Sequence, residues 1–137
     1  APLRALALAP HFEALQGQMT DLLAALVAGR TEATGTAANM MGDGLSVRLD
    51  WLEAWVGRAI RHRTLPNGNH LTVPGRGELQ RAADEVNISA AFRMVDRVRE
   101  VRRLLEGSAA PQLLVEALLV ELADSFGRRG VTQWAPR

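Results

Sequence analysis

The sequence contains no lysine, no cysteine and no tyrosine, and these absences exclude several kinds of chemistry. Without lysine there is no phosphate-binding loop of the type that uses a lysine, and there is no Schiff base. Without cysteine there is no thiol nucleophile, no disulfide and no thiolate ligand for a metal. A chain without disulfides fits a cytoplasmic protein, and we expect a cytoplasmic location.

The lack of lysine and tyrosine also explains the high isoelectric point. All 16 basic residues are arginine, against 15 acidic residues, which gives a net charge of +1. Because almost no group titrates between neutral pH and the guanidinium range, this small excess of positive charge raises the isoelectric point to about 9.2. The isoelectric point by itself therefore does not indicate a nucleic-acid partner.

The length and composition predict one domain. A chain of 137 residues with 47% hydrophobic and 23% charged residues is long enough to bury a single core. The hydrophobic stretch 3–8 is too short for a signal peptide, and the sequence begins with Ala rather than Met. We expect an excised piece of a longer chain that does not enter a membrane.

Hydrophobic residues recur at helical spacing along most of the chain, and no stretch alternates as a half-buried strand does. The sequence therefore predicts an all-α, compact bundle of about five to six helices. The predicted helices of the bundle cover 11–27 (ended by Gly29), about 36–41, 45–63, 78–84, 88–106 and 111–126. Residues 1–9 are predicted to be the end of a helix that begins upstream and is ended by Pro10. Residues 65–75 are predicted to form a loop, and residues 128–137 a flexible tail.

Two of these helices have well-defined hydrophobic faces. We expect the 45–63 helix to bury Leu49, Trp51, Leu52, Trp55, Val56, Ala59 and Ile60. We expect the 88–106 helix to turn Ala90, Met94, Val98, Val101 and Leu105 toward the core.

The 111–126 helix has hydrophobic residues on two sides, which is typical of a helix at the centre of a bundle. We expect its broad face to lie in the domain core, and the main residues of that face are Leu114, Leu118 and Leu122. A narrower ridge lies among the acidic residues of the other side and consists of Leu113, Ala117 and Val120. Either a neighbouring subunit or another helix of this chain covers the ridge, and the sequence favours neither.

An arginine-rich helix face gives one alternative function. Arg93, Arg97 and Arg103 project from the 88–106 helix, and arginine is suited to binding phosphate, so a small nucleic-acid-binding module is the second hypothesis. Acidic residues stand three or four positions from these arginines, and we expect them to neutralise the face within the helix. These acidic residues are Asp96, Glu100 and Glu106.

Two histidines give a third and weaker alternative. His62 and His70 flank the predicted loop and could belong to a small helical hydrolase or to a metal site. The chain contains neither a zinc-binding HExxH motif nor a serine-nucleophile elbow. We therefore expect His62 to be a surface residue at a helix end, and we predict no catalytic, cofactor-binding or metal-binding residue.

Four segments occur together in a recognisable order. They are Leu49-Asp-Trp-Leu52, Val73-Pro-Gly75, Arg102-Arg-Leu-Leu105 and Pro111-Gln-Leu-Leu-Val-Glu-Ala-Leu-Leu119. This combination resembles the C-terminal domain of the delta-prime subunit of the bacterial DNA polymerase III clamp loader. One departure is that Ala109-Ala110 stands where related sequences often carry Asn, so no contact made by that Asn is transferred to this chain.

The resemblance implies a role in subunit assembly. In that family the C-terminal domains of five subunits form a helical collar, which holds the ring that loads the sliding clamp onto primed DNA. The resemblance covers roughly residues 11–126 and implies that 1–10 end a preceding lid-type domain and that 11–127 form the collar domain, which leaves 128–137 as the tail. The implied partners are the gamma/tau-type and delta-type subunits, with DNA contacted only through the complex and no small-molecule substrate or cofactor.

Overall fold

The helical spacing of the sequence produces six α-helices in the part of the chain that the structure describes. The structure is a computed structural model that describes residues 2–65 and 77–127, with side chains from Phe12 onward. In chain order the helices are α1 (Pro2–Val27), α2 (Ala33–Met40), α3 (Leu45–Thr64), α4 (Gly77–Glu85), α5 (Ile88–Leu105) and α6 (Pro111–Phe126). The other described residues form turns and irregular connections, and the predicted all-α fold is confirmed.

One prediction about the first helix is wrong. Pro10, which was expected to end a helix, lies inside α1, and α1 continues without a break from Pro2 to Val27. A proline removes one backbone hydrogen bond and crowds the preceding turn. Here that turn consists only of Ala and Leu, which have the highest helix propensity. α1 therefore crosses the predicted boundary at residue 10, while the assignment of 1–10 to a preceding domain stays a prediction.

Local sequence sets two of the helix ends. Gly29, with φ of 78°, follows α1, and the Arg30 N–H donates to the Ala25 carbonyl at 2.9 Å in the pattern of a glycine-terminated helix. Asn87 caps the start of α5, since its side-chain oxygen accepts a hydrogen bond from the Ala90 N–H at 3.2 Å. The ends of α1 and α5 thus follow from single residues at the right positions.

The six helices pack so that α6 touches most of the others. α5 lies between α3 and α6, α2 packs along α6, and α1 and α4 contact each other as well as α3 and α6. The connection between α5 and α6 spans only residues 106–110, and the two helices pack against each other. α6 is thereby fixed by contacts with α1, α2, α4 and α5.

The core contains the hydrophobic positions that the helical periodicity predicts. The predicted buried residues of α3 are all buried: Leu49, Trp51, Leu52, Trp55, Val56, Ala59 and Ile60. In α5 the predicted residues are buried except Leu105, which is partly buried against the core. Trp55 packs edge-to-face on Phe126, with ring centroids 5.0 Å apart and planes inclined by 66°, and this contact ties α3 to the end of α6.

Several predictions fall on parts of the chain outside the described residues. These are the loop at 65–75 beyond Leu65 and the tail at 128–137.

Candidate subunit interface

α6 has one buried face and one exposed face. Leu118 and Leu122 are fully buried and Leu114 is partly buried, so the predicted core face is confirmed. We call Leu113, Ala117 and Val120 the outer ridge. Leu113 is 65% exposed, Val120 is 46% exposed, and Ala117 is exposed as well.

The exposure of the outer ridge corrects two interpretations of the sequence. α6 is not enclosed on all sides at the centre of the bundle, because its neighbours cover one face and leave the ridge uncovered. The alternative in which another helix of this chain covers the ridge is wrong for the helices that the structure describes. The remaining interpretation is that another molecule covers the outer ridge, and this stays a prediction.

An acidic residue borders the outer ridge on each side, and each of the two accepts a hydrogen bond from a side chain of a neighbouring helix. On the α2 side, the Thr34 hydroxyl donates to Oε1 of Glu116 at 2.9 Å. On the α5 side, Nε of Arg97 donates to Oε2 of Glu121 at 2.7 Å. At about 100° per residue the two acids lie roughly 140° apart around α6, with the ridge between them. The ridge therefore has polar borders whose geometry is fixed by α2 and α5.

Arg97 links the α5 border to a second acid. Its Nη1 lies 3.2 Å from Oε1 of Glu100, which stands one turn along α5. The hydrogen bond with Glu121 is the main reason why the pKa of Arg97 is raised above its usual value, and the charge of Glu100 acts in the same direction. Arg97 is therefore held between an acidic residue of α6 and one of its own helix.

A groove of about 440 Å³ opens beside the outer ridge, between the beginning of α2 and α6. Its hydrophobic lining includes Leu26, Val27, Val120 and Ala123. Its acidic lining consists of Glu32, Glu116 and Asp124, and no arginine lines it among the described residues. Val120 thus belongs both to the ridge and to this acidic groove.

The three arginines of the alternative nucleic-acid face have different surroundings. Arg97 is engaged by Glu121 and Glu100, whereas Arg93 and Arg103 are exposed and form no ion pair with the described residues. The predicted neutralisation within α5 is therefore present only between Arg97 and Glu100.

Two further arginines of α5 are neutralised across helices, which the sequence did not predict. Nε of Arg99 lies 3.3 Å from Oε2 of Glu53, and Nη1 of Arg102 lies 3.7 Å from Oε1 of Glu53. Arg102 also forms an ion pair with Asp50. Spacing along one helix says nothing about acids on a helix packed beside it, so these ion pairs could not be predicted from the sequence.

His62 lies in the last turn of α3, as predicted, but its side chain is only 16% exposed, so it is half-buried rather than a surface residue. Its Nε2 lies 2.5 Å from Oδ1 of Asp84, and the Gln80 side chain contacts both residues at 3.2 and 3.3 Å. α4, which packs against α3, supplies both partners. His70 lies outside the described residues, which contain no group of three or more histidines and acids that could hold a metal.

A second hydrophobic groove, of about 250 Å³, lies between α1 and α3, and sequence reasoning missed it. Phe12 and Val47 line it and are 56% and 51% exposed. Trp51 also lines it, and its indole N–H donates to Oε1 of Gln16 at 2.5 Å. The helical spacing of Phe12 resembles that of its buried neighbours, so the sequence contained no signal that this ring is exposed.

Comparison with models of protein families, with curated proteins and with solved structures found no match to this chain. Across the described helices, none combines the length and the hydrophobicity needed to cross a membrane.

Proposed function

We propose that this chain is an assembly domain that binds neighbouring protein subunits through the outer ridge of α6. The observation that supports this proposal is the exposure of the outer ridge to solvent. Following the sequence resemblance, we propose the specific role of the collar domain of a delta-prime subunit in a bacterial DNA polymerase III clamp loader. Its partners are then the gamma/tau-type and delta-type subunits of a cytoplasmic hetero-pentamer, and it acts on DNA only through that complex.

The grouping of hydrophobic residues on the outer ridge supports the proposal that a protein binds there. Single exposed hydrophobic side chains are common on protein surfaces and need no explanation. Leu113 and Val120 lie two helical turns apart on one face, with Ala117 between them, so they form a continuous stripe. Burying such a stripe stabilises a complex by about 25 cal/mol per Å² of hydrophobic area removed from water.

The shape of the ridge favours a helix as the partner element. The small side chain of Ala117 lies between two larger ones and lets another backbone approach α6 closely. The contacts of α6 with four other helices hold the stripe in place, which lowers the ordering cost of association. These are properties of a preformed seam between helical subunits.

The test is co-elution of this chain with purified gamma/tau-type and delta-type subunits from the same organism. We expect the unmodified chain and Val47→Glu to co-elute with them and Leu113→Glu to elute alone. Val47 is the matched control because it is also an exposed hydrophobic residue, 51% against 65% for Leu113, but lies on α3. If both variants co-elute equally with the subunits, the ridge is not the interface. If the unmodified chain does not co-elute with them, the clamp-loader role is contradicted.

A further inference from the structure

The outer ridge has the spacing of a coiled-coil seam. Residues 113, 117, 120 and 124 follow one another at intervals of four, three and four, which is the spacing of the positions that face a partner helix. Glu116 and Glu121 then occupy the positions that flank such a seam. Asp124 continues the seam beyond Val120 and is exposed. A helix docked on the ridge therefore meets a hydrophobic stripe with acidic borders and an acidic end.

α6 is acidic in a chain that is almost neutral. It contains three acidic residues and no basic residue, whereas the net charge of the whole chain is +1. Glu32 of the adjacent α2–α6 groove adds a fourth carboxylate beside Glu116 and Asp124. On the α2 side of the ridge the local charge that a partner meets is thus negative, although the overall charge is not. On the α5 side, Arg93 and Arg97 line a groove together with Glu121 and Asp124, and Arg97 balances the charge of Glu121.

The two border acids are positioned to accept a further hydrogen bond. The contact with Thr34 engages Oε1 of Glu116, and the contact with Arg97 engages Oε2 of Glu121. A carboxylate can accept through both of its oxygens, so a partner donor can bind the second oxygen without displacing the first contact. The borders are already oriented before any partner arrives.

A second copy of this chain is a poor occupant of this face. Two α6 helices packed ridge to ridge would bring Glu116 and Asp124 of each copy into one interface, together with Glu121 and its partner Arg97. Like charges placed opposite each other in an interface disfavour association. The complementary surface must instead carry positive charge beside its hydrophobic stripe.

We infer that the outer ridge docks an amphipathic helix of a different subunit, whose hydrophobic stripe is flanked by arginine or lysine side chains. The basic side chains reach Glu116, Asp124 and the α2–α6 groove, and arginine suits the carboxylates best because it binds them in a bidentate way. This inference rests on the proposed assembly function and adds the chemistry of the partner.

The experiment measures the affinity of the chain for the gamma/tau-type and delta-type subunits by titration calorimetry. The test variant is Glu116→Gln with Asp124→Lys, since glutamine retains an oxygen for Thr34 while the charges change. The control is Glu85→Gln with Asp43→Lys, which makes the same net change at exposed acids remote in sequence from the ridge. We expect at least a tenfold loss of affinity, on the order of 1.4 kcal/mol, for the test variant alone.

The dependence on salt provides a second readout. From about 0.1 M to about 1 M NaCl the screening length falls from roughly 10 Å to 3 Å, so we expect the affinity of the unmodified chain to fall and that of the test variant to change little. If the test and control variants bind the subunits with equal affinity while Leu113→Glu still does not bind them, the inference of a basic partner helix is wrong. The proposed assembly function then still holds. Self-association through the ridge also overturns the inference. Failure of the unmodified chain to bind any subunit overturns both proposals.

Discussion

Leu118 and Leu113 lie five residues apart on α6, and the first is fully buried while the second is 65% exposed. The same residue type on the same helix thus has two different environments. We expect Leu118→Ala to lower the free energy of unfolding by about 2–5 kcal/mol, through lost burial and the cavity left behind. Leu113→Ala should stay within about 0.5 kcal/mol of the unmodified chain. Urea denaturation followed by circular dichroism measures both, and equal losses would contradict the assignment of the two faces.

Gly127 provides a second test of the packing at the end of α6. A Cβ atom at this position would lie 2.3 Å from the Ala123 carbonyl oxygen and 3.2 Å from that of Val27, so the backbone must shift to admit it. We expect Gly127→Ala to destabilise the fold by roughly 1–3 kcal/mol.

Gly57, in the middle of α3, is the matched control for Gly127. Nothing lies within 4 Å of a Cβ atom built there. Alanine is favoured over glycine inside a helix, so Gly57→Ala should stabilise the fold by about 0.5–1 kcal/mol. Thermal unfolding measures both variants, and a Gly127→Ala protein as stable as the unmodified chain would contradict the close approach of residue 127 to the Ala123 and Val27 carbonyls.

DNA binding by the isolated chain should be weak and sensitive to salt, because Arg97, Arg99 and Arg102 have acidic partners. Fluorescence polarisation with labelled DNA should show binding at low ionic strength that disappears near about 0.15 M salt.

Release of two of these arginines should increase that binding. The double change Asp50→Asn with Glu53→Gln removes the acidic partners of Arg99 and Arg102 and changes the net charge from +1 to +3, since two negative charges are lost. We expect higher DNA affinity for this variant at low salt. Tight, salt-resistant binding by the unmodified chain would instead favour the nucleic-acid-binding hypothesis.

Much of the fold could be predicted from the sequence, because burial of one helix face imposes a spacing that is visible in a single chain. The buried residues of α3 and the ends at Gly29 and Pro111 are examples. The continuation of α1 through Pro10 could not be predicted from the same rules, since it depends on how strongly the flanking turns favour a helix.

The candidate site could be predicted only in part. Helical spacing identified the outer ridge but could not decide whether Val120 faces a helix of the same chain or the surface, because both give the same pattern. The contacts between His62 and Asp84, and between Arg99 and Glu53, join residues far apart in the sequence. Such contacts depend on which helices pack together, and the spacing within one helix does not contain that information.

The most direct test of the central claim combines thermal unfolding and co-elution on one variant, Val120→Glu, with Val47→Glu as the control. Val120 is 46% exposed on the outer ridge, so we expect the melting temperature to change by no more than about 2 °C. A charge buried without a partner in an interface costs several kcal/mol, so the same variant should fail to co-elute with the gamma/tau-type and delta-type subunits. A folded Val120→Glu protein that still assembles, or one that loses its fold together with assembly, would contradict the claim that the ridge is a subunit interface.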